Sequence, residues 1–411
     1  MEEQYKVFSY RWIILAATIP IIICTEMFWL TLAPISSLAE QYYGTSSFGI
    51  SMFTTSYMIM YILFTLPASW VIDRFGFRTS LIIGSLITAV FGLLRSAFAP
   101  NFTVVMVCQF IIAIGQPFLL NISTKVPANW FPVTERSTAS GLLTMAQYMG
   151  FIVPMVLSPI ISASYGIPFL YNVYAAVAFV CAALAIIFTR ERPALPPGPE
   201  AEKEDFSIPS VAKLFKNRNF IYVLFVAFIS MGVFNALLTL IESILKPRGF
   251  TPDQAGIVGA LFVIAGVIGA VLLPLLSDKL HRRIPFFIIG ISLLVPLYLG
   301  ITYLSNYILL SIVSAAAGFT IMGVAPILFQ HGAEVAYPVK EGTSYGMILF
   351  MGQISGTFFV IIFEALSGNT GIITIPMLLF VAFTIAEIPI TVKMKESDIL
   401  KNLRNSINSI S

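Results

Sequence analysis

The sequence predicts an all-α membrane protein with twelve transmembrane helices in two pseudo-symmetric six-helix bundles. Three observations predict it. Hydrophobic residues make up 58% of the 411 positions and charged residues only 10%, against about 25% charge in an ordinary soluble domain. The apolar residues fall in long runs, as at 13–35, 52–72, 104–122, 223–240 and 378–392, and roughly 20 such residues cross a hydrocarbon core. Finally, segments in the two halves of the chain repeat one another at a nearly constant offset.

In chain order, spans are expected near 12–36, 49–72, 79–99, 102–124, 137–162 and 167–189, then 219–244, 254–277, 284–304, 307–330, 343–367 and 371–392. The first is too long for a cleavable leader and carries Glu26, so it is expected to stay in the protein. With the N-terminus inside, all of the 23 Lys and Arg residues except Arg95, Lys246 and Arg248 fall on the cytoplasmic side. That asymmetry obeys the positive-inside rule and puts both termini in the cytoplasm, with the plasma membrane as the expected location. Between spans six and seven, Pro193, Pro196, Pro197 and Pro199 precede the charged run Glu200–Asp205, which reads as a linker. Its end, 211–218, is either a solvated tether or a short amphipathic helix placing Lys213, Lys216 and Arg218 at lipid headgroups. The expected domains are 1–189 and 219–393, joined by linker 190–218 and followed by tail 394–411.

The repeat is visible in three places. Asp73-Arg74-Phe75-Gly76-Phe77-Arg78 after span two is matched by Asp278-Lys279-Leu280-His281-Arg282-Arg283 after span eight, 205 residues on. Phe131-Pro132-Val133-Thr134-Glu135-Arg136 before span five is matched by Tyr337-Pro338-Val339-Lys340-Glu341-Gly342 before span eleven, at 206. Met145-Ala146-Gln147 is matched by Met351-Gly352-Gln353 at the same 206. Parallel six-helix repeats resemble the major facilitator fold, which implies a substrate site near the midplane between the halves. The loop after span two resembles that family's signature G-x-x-x-D-[RK]-x-G-[RK]-[RK], with Ser69 for the leading Gly and Phe77 at one basic position. The resemblance implies a conformational latch of Asp73, Arg74 and Arg78 in one half and Asp278 and Arg282 in the other. Glu135, Arg136 and Glu334 are candidates to complete it. The plainer alternative is that these residues only mark helix ends.

A narrower likeness follows from three segments. These are Trp29 with Ala33-Pro34-Ile35-Ser36 and Tyr42-Tyr43-Gly44, then Asn129-Trp130-Phe131-Pro132 leading to Gln147, then Glu334-Val335-Ala336-Tyr337-Pro338-Val339-Lys340-Glu341-Gly342-Thr343 leading to Gln353. Together they resemble the feline leukaemia virus subgroup C receptor-related transporters, solute carrier family 49. The resemblance implies a facilitator of choline, ethanolamine or a similar organic cation; haem and vitamin B6 compounds are also attached to the family. It implies that Trp29, Gln147 and Gln353 contact the substrate. Asn235 stands where the repeat would place a second Trp29.

Polar side chains inside spans are costly and face a partner or a water-filled cavity. Gln147 and Gln353 are therefore candidate substrate contacts, the alternative being helix–helix hydrogen bonds. Glu26 lies three residues before Trp29 on a nearby helix face, and is a candidate proton carrier or counter-ion, or else a structural acid bonded to a neighbouring helix. Gln116, Tyr171, Asn172 and Asn235 are further cavity candidates. Glu242 and Glu364 either form an outer gate or end in headgroups, while Glu387 is expected to be structural and Lys125 to snorkel to the inner interface.

The three cysteines lie in apolar spans and the two histidines are far apart, so no disulfide, metal site, redox centre or cofactor is expected. No clustered catalytic set and no G-x-x-x-x-G-K-[ST] motif appears, which argues against an enzyme and against ATP-driven transport. The expected protein is a monomeric secondary or facilitative transporter of a small organic solute, working by alternating access. Its partners are that solute and the bilayer, not nucleic acid. Two alternatives remain: an exporter of lipophilic, haem-like or vitamin-like compounds, and a membrane receptor without flux.

Overall fold

The computed structural model describes residues 6–197, 208–339, 341–367, 372–397 and 400–401. The charged run Glu200–Asp205, Lys340 and most of the tail after 397 lie outside them. Among the described residues, eleven helices are long and apolar enough to cross a membrane. One of these covers 134–188, 55 residues. At 1.5 Å per residue it would be about 80 Å long, more than twice the roughly 30 Å core. Gly166, at φ +82° and ψ 169°, breaks it, a conformation that glycine adopts without the penalty a Cβ would carry. It is therefore two spans, and the total is twelve.

The first six are α1 (Tyr10–Trp29), α2 (Ser47–Phe75), α3 (Phe77–Ala97), α4 (Phe102–Leu120), α5 (133–165) and α6 (167–188). The second six are α7 (Arg218–Thr239), α8 (Pro252–Leu280), α9 (Ile284–Tyr303), α10 (Tyr307–Ala336), α11 (Glu341–Ser367) and α12 (Thr374–Lys393). Short helices Ser36–Tyr43, Lys125–Trp130 and Ile208–Lys216 fill three of the connections.

Local chemistry starts these helices. Ser46, Asn101, Asn217 and Asn306 each accept a hydrogen bond from the first-turn backbone of α2, α4, α7 and α10. Thr251 and Gln254 cap each other at α8. Helices α3 and α9 have no such cap of their own.

The chain divides into two compact units, 1–202 and 203–411. In the first, α1 packs on α5, α2 on α4, and α3 on α4 and α6. In the second, α7 packs on α11, α8 on α10, and α9 on α10 and α12. Each pair in one unit has its counterpart six helices on. Outward-facing Leu63, Leu66, Ile160 and Ile187, and Leu275, Ile308 and Ile312, are strongly exposed, which suits lipid rather than water.

Candidate functional site

In the first unit the candidate residues gather where α1, α4 and α5 meet. Glu26 is 1% exposed, and Gln116 Nε2 of α4 donates to both of its carboxylate oxygens at 3.2 and 3.1 Å. A Cβ on Gly150 of α5 would stand 2.5 Å from the Glu26 Cβ and 2.8 Å from the Ile23 carbonyl oxygen. The missing side chain is what lets α5 approach Glu26. Among the described residues no basic group pairs with this acid.

One turn on, Trp29 is buried, its indole N–H donating to the Thr54 carbonyl of α2 at 3.0 Å. Its ring meets Phe151 edge-on at 5.3 Å, and Phe151 meets Tyr148 at 6.0 Å. Gln147 adjoins this aromatic row on α5. It is half-exposed, and its side chain has no hydrogen-bond partner among the described residues. Gln353 of α11 is likewise half-exposed and unpartnered at its side-chain amide. Asn235 differs: it is buried and donates to the Gly352 carbonyl at 3.2 Å, tying α7 to α11 beside Gln353.

Arg95, expected on the non-cytoplasmic side at the end of span three, is fully buried in the last turn of α3. Its guanidinium lies 4.3 Å from the Phe28 ring and 4.5 Å from the Tyr171 ring, and donates to Gln109 Oε1 at 2.7 Å. Gln109 in turn donates to the Phe28 carbonyl at 3.1 Å and the Phe53 carbonyl at 3.3 Å. Aromatic faces attract a cation by about 0.5–2 kcal/mol when desolvated, so the rings take the place of a carboxylate. A basic residue at the end of a span looks like an interfacial charge in sequence; only the fold reveals the cage. Asn172 accepts from Ser96 beside it, again joining α3 to α6.

Two expectations for the other acids need correction. Glu242 and Glu364 are 1% and 4% exposed rather than set among headgroups, because the short helix Ile241–Leu245 and α11 turn them inward. Glu387 of α12 is buried and accepts from Ser230 Oγ of α7 at 3.2 and 3.1 Å.

Among the candidate latch residues, Asp73 pairs with Lys125 Nζ at 3.0 Å, Arg11 with Glu135 at 3.0 Å, and Arg136 Nε donates to the Phe131 carbonyl at 3.1 Å. Arg74 and Arg78 point outward. In the second unit the pairing cation is Arg283, not Arg282, which is exposed. Arg283 reaches Asp278 at 2.6 Å and Glu334 at 3.0 Å. Burial disfavours its charge, but the hydrogen bonds it donates to Glu334 and Asp278 outweigh this and hold its pKa above the usual arginine value.

The sequence reading missed one pair entirely. Glu191, just after α6, accepts from the backbone N–H groups of Phe77 and Arg78 at 3.2 and 2.7 Å. Glu396, 205 residues on and just after α12, accepts from those of Arg283 and Ile284 at 2.8 and 3.0 Å. Each carboxylate caps the helix that lacks its own cap, α3 or α9, where the dipole favours negative charge. The offset between Glu191 and Glu396 equals that between Asp73 and Asp278, and is the signal by which they were recoverable.

Residues 8–360 match the family model described as Major Facilitator Superfamily. The chain belongs to that superfamily. Within it, the solute carrier family 49 member A3 of Danio rerio is 30% identical over 89% of this chain and 81% of its own length. The choline/ethanolamine transporter FLVCR2 is 28% identical in both Rattus norvegicus and Homo sapiens, covering 88% and 87% of this chain and 70% and 72% of theirs. The likeness to the feline leukaemia virus subgroup C receptor-related group, solute carrier family 49, thus extends over most of the chain. A bacterial homologue of the human lysosomal transporter Spinster superposes with a TM-score of 0.74, at 14% identity over 96% of this chain and all of its own, which speaks to fold alone. As a major facilitator the protein is a multi-pass membrane transporter of a small solute.

Proposed function

We propose that this transporter carries choline, ethanolamine or a similar small organic cation across the plasma membrane by alternating access, as a monomer with both termini cytoplasmic. Gln147 and Gln353 each offer an amide to the substrate's hydroxyl or ammonium, and Trp29 with Tyr148 and Phe151 forms an aromatic wall. The observation that carries this is a contrast among the intramembrane amides. Gln109, Gln116 and Asn235 are consumed by protein partners, whereas Gln147 and Gln353, at matching positions of the repeat, keep theirs unspent. A polar side chain left unpaired inside a membrane faces water or a ligand. The names of the relatives supply the chemical class. Domains 1–189 and 219–393 act as the two moving halves.

Glu26 is proposed as the proton-coupling group, since it is the acid closest in sequence to Trp29 and no cation among the described residues neutralises it. The test of the substrate class is ligand stabilisation of the purified protein, because a ligand that binds only the folded state raises apparent stability with its concentration. Choline or ethanolamine raises the melting temperature of the wild type. Neither compound acting at millimolar concentration contradicts the assignment. The coupling role is separate: the Glu26→Gln variant is expected to transport with a flattened pH dependence, and an unchanged profile removes Glu26 from that role.

A further inference from the structure

We propose that the second unit carries a docking platform for anionic phospholipid headgroups on its cytoplasmic face, formed where the start of α7 and the end of α12 converge. Leu214 of the short helix Ile208–Lys216, Phe220 of α7 and Met394 just past α12 are buried in one hydrophobic cluster. That shared anchor sets two basic segments side by side. Asn219 locks them further, donating from Nδ2 to the Lys395 carbonyl and accepting from the Lys395 backbone N–H, both at 3.2 Å.

The residues around these anchors are turned outward. Lys213, Lys216, Arg218, Lys393 and Lys395 are all exposed, and none forms an ion pair among the described residues. Among the described residues, the acids of the same region face the other way. Glu396 caps α9, while Glu334 takes Arg283 and the Ser397 hydroxyl. Arg218 is oriented by its own helix: its Nε donates to Tyr222 Oη at 2.8 Å, leaving the rest of the fork for a phosphate.

Two features select a lipid surface over a soluble anion. Phe215 stands 51% exposed between Lys213 and Lys216, an apolar anchor flanked by cations, which is the pattern of interfacial helices. The helix also runs through Asn217 directly into α7, so the chain itself holds it at the membrane plane. Each cation near an anionic bilayer surface strengthens binding by roughly fivefold.

The test measures lipid binding to the full-length protein by native mass spectrometry and thermal shift, with phosphatidylglycerol and phosphatidylcholine as probes. The wild type is expected to retain phosphatidylglycerol at least about tenfold better than phosphatidylcholine. Combining K213Q, K216Q and R218Q with K393Q and K395Q abolishes the preference, while the control K279Q, at the exposed end of α8, keeps it. Melting of each variant in detergent confirms that it is folded. Equal retention of the two lipids by the wild type overturns the proposal, as does a preference that survives all five substitutions. Inorganic phosphate reproducing the whole effect would assign the patch to a free anion. A preference that emerges only after Glu200, Glu202, Glu204 and Asp205 are neutralised would assign it to the chain's own acidic run.

Discussion

Glu26 shows how a single intramembrane acid is accommodated. Both carboxylate oxygens are held by one amide from Gln116, and Gly150 gives up its side chain so that α1 and α5 can close over it. A Gly150→Val substitution is therefore expected to lower stability by about 1–3 kcal/mol through overpacking, read as a fall in melting temperature. The free amides make a different prediction. Gln147→Ala and Gln353→Ala are each expected to raise the ligand dissociation constant by roughly three- to tenfold, the net worth of one hydrogen bond, with melting temperature unchanged. Loss of stability without loss of affinity would make them packing residues. Sequence periodicity marked Glu26, Gln116 and the two glutamines because polar residues stand out in apolar runs. It misread Arg95 because a cation at a span's end has the same signature whether it snorkels outward or stacks on rings from α1 and α6. Arg95→Ala is expected to cost about 2–5 kcal/mol by leaving a cavity among those rings, and Arg95→Lys to recover only part of it, since an ammonium lacks the planar face that stacks.

Among the elements, five helix starts are capped locally and two, those of α3 and α9, are capped from afar. At the first of the latter, Gly76 has φ +88°, and a Cβ there would stand 2.5 and 2.6 Å from the Glu191 oxygens. Gly76→Ala therefore strains the backbone and ejects the cap together. Glu191→Ala and Glu396→Ala are each expected to destabilise by about 0.5–2 kcal/mol, measured by thermal melting. The double substitution is expected to be additive, because the two caps lie in separate units. Span positions were legible from hydropathy since lipid permits little else. The break at Gly166 and the junction of α5 and α6 were placed within a few residues for the same reason. The distant caps were not legible locally, because a carboxylate just past α6 reads as one more charge in a cytoplasmic loop. Arg282 and Arg283 are adjacent, and only the turn through His281, at φ +51°, decides which of them faces Asp278 and Glu334.

For the whole molecule, the repeat recorded in the sequence at 205–206 residues reappears as matching helix pairings, matching caps and matching glutamines. The units are not identical in chemistry. Where the first has Trp29, the second has Asn235 bonded to backbone. Where Cys181 lies on α6, the second has Glu387 bonded to Ser230. Solute uptake tests the proposed substrate class at the scale of the whole molecule. The most direct measurement is uptake of radiolabelled choline and ethanolamine into proteoliposomes holding the purified protein, beside a Gln147→Ala/Gln353→Ala variant. Saturable uptake by the wild type, competed by the unlabelled compound and weakened at least about tenfold in the variant, is the predicted result. Uptake no greater than in empty vesicles for both compounds, from protein shown to be folded, contradicts it.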